Sequence, residues 1–192
     1  MRHSHRATRR AVVAALASLP LAGTAATGEQ KLGTKAGRSR LVAYFSRSGN
    51  TRVVAGLIQR SVDADMFEIL PDSPYPADYL ATVEQARQER DNAYEPPLAA
   101  FVSDVAKYDT LYLGFPIWGS TAPPVIRSFL KRHDLAGKTL VPFVTHGGYG
   151  LGNARAILAS HAPGANIQTP LTMEADQERR TMEAVNAWLD SR

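Results

Sequence analysis

The chain is predicted to be an α/β protein, a doubly wound parallel sheet of five strands with helices on both faces. Three observations carry that prediction. Strand-like and helix-like segments alternate from Leu41 onward. The strand-like runs are apolar without clean alternation, as befits strands covered on both sides. Three loops rich in Gly, Ser and Thr each follow such a run, at the carboxyl ends where a sheet of this kind holds its ligand.

The first 26 residues stand apart from that pattern. They hold Arg2, Arg6, Arg9 and Arg10 and no acid, then an Ala/Val/Leu segment from Ala11 to Ala22, then small residues up to Ala26. A basic start, a short apolar middle and a small-residue end are the parts of a secretory signal. The pair Arg9-Arg10 ahead of the apolar part resembles a twin-arginine signal, cleaved after Ala25 or Ala26. The alternative is a disordered basic tail. Residues 27–40 are polar and contain glycine, which reads as a flexible tether to a domain spanning 41–192. The expected place of action is therefore outside the cytoplasm, in the periplasm.

Charge follows the same division. The 22 basic and 18 acidic residues become 18 and 18 without the leader, and 14 and 17 from Leu41 onward. The domain itself carries no basic excess, which argues against nucleic acid as a partner. With no cysteine there is neither a disulfide nor a lipid-modified cysteine anchor. No run of about 18 apolar residues exists, so no stable membrane insertion is expected.

In order, the predicted strands are Leu41 to Phe45, Met66 to Leu70, Thr110 to Gly114, Leu140 to Thr145 and Asn166 to Gln168. The predicted helices are Thr51 to Val62, Asp78 to Asn92, Val125 to Arg132, Gly152 to His161 and Asp176 to Leu189. In the last helix, Trp188 shares an inward face with Ala184 and Val185. Between Pro71 and Pro97, a Pro-rich loop leads into a charged helix. Tyr75 and Tyr79 there are read either as a partial lid or as ordinary loop residues.

The first loop, "SRSGNT", offers the hydroxyls of Ser46, Ser48 and Thr51, with Arg47 between them. Gly49 and Asn50 let the backbone curl so that N–H groups converge at a helix amino terminus. A phosphate monoester fits such a loop, and so does a plain helix cap. The lysine of a triphosphate-binding loop is missing, which excludes that ligand class. The second loop, "FPIWGSTAPP", places Trp118 two residues past Pro116. Its indole either presents a face to a planar ring or closes the core. The third loop, "THGGYGLGN", has Gly147, Gly148, Gly150 and Gly152, which allow close backbone approach to a ligand or make a bland turn.

Taken together, "YFSRSGNT", "GFPIW" and "GGYGLG" resemble the three loops of flavodoxins, in particular a bacterial group of flavodoxin-like proteins. The likeness runs from Leu41 to Trp188. It implies a flavodoxin-like fold with flavin mononucleotide (FMN) as cofactor, and no metal site is assigned. It places Ser46, Arg47, Ser48, Gly49, Asn50 and Thr51 around the phosphate. It sets Pro116, Ile117, Trp118, Gly119 and Ser120 against the isoalloxazine, with Trp118 stacked. Thr145, His146, Gly147, Gly148, Tyr149, Gly150 and Gly152 would line the pyrimidine side.

Two loops depart from the pattern. Gly119 stands where a bulky residue commonly follows the tryptophan, which is expected to leave one flavin edge more open. His146 and Tyr149 stand where small residues are frequent. His146 is read either as a packing residue or as a cation tuning the flavin, and Tyr149 either as a second aromatic wall or as a surface residue.

The leading function is an electron carrier between redox partner proteins. An FMN-dependent NAD(P)H reductase of quinones or similar small acceptors is the alternative, favoured by an open edge at Gly119. A third class, the α/β-hydrolases, enters because "THGGYG" is similar to an esterase oxyanion loop. It fails on order, since no G-x-S-x-G follows Gly150.

Overall fold

The structure is a computed structural model and describes residues 39–174. The leader, most of the tether and the predicted helix Asp176 to Leu189 with Trp188 lie outside the described residues. Six parallel strand segments form one sheet: β1 (Arg40–Tyr44), β2 (Asp65–Glu68), β3 (Thr110–Pro116), β4 (Thr139–His146), β5 (Asn166–Ile167) and β6 (Leu171–Glu174). Their order is β2-β1-β3-β4-β5, with β6 also pairing to β4. The helices are α1 (Asn50–Val62), α2 (Tyr79–Asp91), α3 (Pro124–Arg132) and α4 (Ala154–His161).

The predicted doubly wound α/β sheet is thus observed, and its five strand positions each hold a strand. The difference lies at the β5 edge, which is split in two. Leu140 pairs with Ile167 and Phe143 with Leu171, so the two residues Val141 and Pro142 face the three residues Gln168, Thr169 and Pro170. One extra residue on the edge makes a bulge, and Pro170, lacking an N–H, belongs at such a place. β6 resumes the pairing beyond it. Because its residues are all exposed, β6 has no run of buried apolar side chains by which the sequence could announce it.

Alternation along the strands fills two separate layers. Leu41 and Ala43 join the larger buried cluster with Leu111, Leu113, Phe115, Ile126, Phe129 and Leu158. Val42 and Tyr44 point the other way, to Val54, Ala55 and Phe143. Phe143 lies across the sheet over its register partner Gly114, where a Cβ would collide with its ring. Both faces being covered explains why the strands read as unbroken apolar runs. Helix ends match local chemistry: the Asp78 carboxylate accepts from Ala81 N at 2.8 Å at the start of α2, and Pro124 opens α3.

Candidate functional site

The three loops leave the carboxyl ends of β1, β3 and β4, which are neighbours in the sheet. The parallel order therefore brings together what the chain separates by about a hundred residues. A single buried contact ties the outer two: Thr51 Oγ1 lies 2.9 Å from Thr145 Oγ1, and Thr51 is only 1% exposed. Between them, Ile117 N donates to Thr145 O at 2.8 Å.

In the first loop, Ser46 Oγ accepts from Gly49 N at 3.1 Å, and Gly49 turns into α1 with φ 92°. Gly49, at the amino end of α1, has no side chain to cap the helix, no acid occupies the first turn, and the space beside Gly49 is open. The amino end of a 13-residue helix with no acid in its first turn suits an anion. Ser48 is exposed beside it. Arg47 Nη2 donates to Ala77 O at 2.8 Å and its Nε to Thr82 Oγ1 at 3.2 Å, and its guanidinium sits over the Tyr79 ring. Arg47 thus joins the loop to Ala77 ahead of α2 and to Thr82 within it.

The second loop is a tight hairpin. Trp118 N donates to Thr121 O at 3.0 Å and Thr121 N to Trp118 O at 3.2 Å, with Gly119 at φ 57° and Ser120 at φ 63°. Two successive positive φ values give the type I′ turn, which glycine enters freely and serine does not. Ser120 is held there because its carbonyl accepts from Asn153 N at 2.9 Å. Gly152 abuts the same carbonyl, and a Cβ on Gly152 would run into it. β3 also extends through Pro116, two residues beyond the predicted end, so the sheet itself carries the turn.

Trp118 is half-buried and gripped edge-on from two directions. Phe45 lies 5.2 Å away at 82° and Tyr75 lies 4.9 Å away at 84°, both ring centroid to centroid. Tyr75 in turn donates to Glu89 Oε2 at 2.8 Å, and Gln85 Nε2 donates to Glu89 Oε1 at 2.8 Å. Glu89 is 7% exposed, so its charge is satisfied by these partners within the fold. Burial, reinforced by Glu89, holds the Tyr75 hydroxyl well above the usual phenol range, keeping it a donor. Thr121 Oγ1, also buried, has no hydrogen-bond partner among the described residues.

In the third loop, His146 Nδ1 accepts from Gly148 N at 3.1 Å, and Gly148, Gly150 and Gly152 all take positive φ. Gly147 is exposed, and Tyr149 is 86% exposed. The space beside Gly119, the position expected to leave a flavin edge open, holds a long side chain. The Arg90 guanidinium from the end of α2 occupies that space, where a Cβ on Gly119 would meet Nη1. Tyr75, one of the two tyrosines read as a partial lid or ordinary loop residues, is a neighbour of Trp118, and Glu89 and Arg90 are further neighbours that the sequence reading left out. The signal for Glu89 was present as spacing: Thr82, Ala86 and Glu89 make one buried helical stripe on α2.

These features fit FMN. A helix start for a phosphate, a fixed indole for a planar ring and a glycine-lined approach lie at adjacent strand ends. Comparison with known proteins agrees. A flavoprotein by assignment from Bacteroides eggerthii DSM 20697 is 32% identical, with 80% of this chain and 96% of that one covered and a TM-score of 0.65. One from Bacteroides uniformis ATCC 8492 is 33% identical, covering 78% and 99%, with a TM-score of 0.66. A flavoprotein from Lactobacillus acidophilus NCFM, solved in complex with FMN, shares the fold at 21% identity, covering 76% and 99%, with a TM-score of 0.60. No curated protein matches the sequence. The flavodoxin family model matches residues 39–192, and the chain belongs to the flavodoxin family.

Proposed function

We propose that this protein is an exported FMN-binding electron carrier that exchanges electrons with redox partner proteins. FMN is the cofactor that membership of the flavodoxin family implies, and it supplies reversible uptake and release of electrons. The first-turn N–H groups of α1, with Ser46, Ser48 and Thr51, bind its phosphate. Trp118 stacks on its ring, Gly119 and Ser120 run beside it, and residues 145–152 follow the pyrimidine side. The observation that carries the reading is Trp118, held by two edge-on rings on the loop after β3, the strand next to the one that leads into α1.

The carrier is favoured over an FMN-dependent NAD(P)H reductase because the gap at Gly119, which would admit a second substrate, is filled by Arg90. Titration of the purified protein with FMN, followed by absorbance and flavin fluorescence, tests cofactor binding. A protein that stays colourless after FMN is added sinks the reading. Mixing the holoprotein with NADPH separates the two functions, since rapid bleaching identifies a reductase. Export rests on Arg9-Arg10 and the segment behind them. Arg9→Lys with Arg10→Lys is expected to leave the yellow protein in the cytoplasm, and unchanged export of that variant rejects the twin-arginine route.

A further inference from the structure

We propose that Arg90 is the charge that sets how strongly this site prefers reduced over oxidised cofactor. The inference rests on the reading of the site as an FMN site. It starts from consecutive residues at the end of α2 that act in opposite directions. Glu89 turns inward and, through Tyr75, fixes the helix end against Trp118. Arg90 then reaches over the hairpin with Nη1 against Gly119. Its position is set from behind as well, because Asp91 Oδ1 takes its Nε at 3.2 Å and its Nη2 at 3.1 Å. Arg47 is bound to Ala77 and Thr82 and does not share this position.

A planar ring stacked on Trp118 lies beside Gly119, the next residue, and so beside the guanidinium. Oxidised isoalloxazine is neutral. Uptake of two electrons and one proton leaves it with one negative charge. A fixed cation therefore stabilises the reduced form and leaves the oxidised form nearly unaffected, and the ratio of the two affinities sets the midpoint potential. Partial solvent exposure and the Asp91 carboxylate weaken the interaction, so the preference is roughly threefold to tenfold. Gly119 is what permits the approach: a side chain there would displace the charge.

The test is a charge series, Arg90→Lys, Arg90→Gln and Arg90→Glu, in the FMN-loaded protein. Each is titrated with dithionite against a reference dye, and the dissociation constant of oxidised FMN is measured alongside. The Lys variant is expected to stay near wild type, and the potential to fall from Gln to Glu. For Gln the loss is about threefold to tenfold in preference for reduced FMN, or ~15 to 30 mV for a two-electron couple. The difference between wild type and Gln is expected to shrink at about 1 M salt, while affinity for oxidised FMN changes by under about twofold. Equal potentials across the series overturn the proposal, as does a Lys variant as low as Gln. Weaker binding of oxidised FMN with an unchanged potential makes Arg90 a packing residue. Wild-type protein that takes up no FMN rejects the site reading itself and is recognisable before any potential is measured.

Discussion

The two sides of Trp118 are built by different means. On one side, the third loop and the start of α4 hold the hairpin by backbone alone: Asn153 N to Ser120 O, with Gly152 packed on the same carbonyl. On the other, the end of α2 holds it by side chains, through Tyr75, Glu89 and Arg90. A backbone contact at a glycine has no room to yield. A contact made by a long side chain yields by rotation. The first side fixes where Trp118 stands, and the second sets its orientation and its electrostatic surroundings.

Gly152→Ala tests the rigid side and is expected to have the largest effect. The new Cβ meets the Ser120 carbonyl, and residue 152 sits at φ 55°. Overpacking of about 1–3 kcal/mol and a left-handed penalty of about 1–2 kcal/mol together predict a loss of ~2–5 kcal/mol. Thermal or urea unfolding measures it. A loss below about 1 kcal/mol shows that the backbone side yields after all.

Tyr75→Phe tests the side-chain side. The ring contact with Trp118 is kept while the hydrogen bond to a buried carboxylate is lost, at a cost of about 1.5–3 kcal/mol. This side also carries a pH dependence that the backbone side lacks. Because burial and Glu89 raise the Tyr75 pKa in the folded state, the folded protein keeps a proton that the unfolded chain gives up above about pH 10. Stability is present below that pH and falls as pH rises above it. The fall is expected to be shallower in Tyr75→Phe, read from unfolding curves between about pH 8 and 11. Identical slopes would show that the hydroxyl is not held as the geometry indicates.

Gly119→Ala probes the junction of the two sides. Alanine at φ 57° loses about 1–2 kcal/mol, while the clash is with the far end of Arg90, which can swing away. The stability loss is therefore expected to be smaller than at Gly152. If displacement of Arg90 is what changes the potential, Gly119→Ala shifts it in wild type and not in Arg90→Gln, a double-mutant cycle with a defined outcome.

The same division governs what was legible in the sequence. The strand positions and the glycine loop of the backbone side could be read, because apolar runs mark strands and Gly147, Gly148, Gly150 and Gly152 mark a loop that needs positive φ or close approach. The side-chain side could not. Tyr75 and Glu89 meet through a loop of undetermined path, and Arg90 reads as one more charge on a solvated helix until α2 is placed over the hairpin. β6 was missed because its residues are exposed and its pairing depends on a bulge at Pro170. Arg47, grouped by motif with the phosphate loop, also donates to Ala77 and Thr82, contacts that only the folded neighbourhood decides.

Ser120→Gly is the mildest test and the one most specific to the hairpin. Serine at φ 63° is strained by about 1–2 kcal/mol, and glycine removes that strain. Glycine also gives the unfolded chain more freedom, which costs about 0.4–1 kcal/mol. The two partly cancel, so a net stabilisation of about 0–1.6 kcal/mol is expected. The Ser120 carbonyl and its bond from Asn153 are unaffected by the change, since both belong to the backbone. A stability loss larger than about 1 kcal/mol would mean that the serine side chain, and not the backbone, holds this side of Trp118, because the lost strain alone cannot destabilise. An unchanged fold with weaker FMN binding would instead assign the hydroxyl to the ligand, leaving the backbone lock intact.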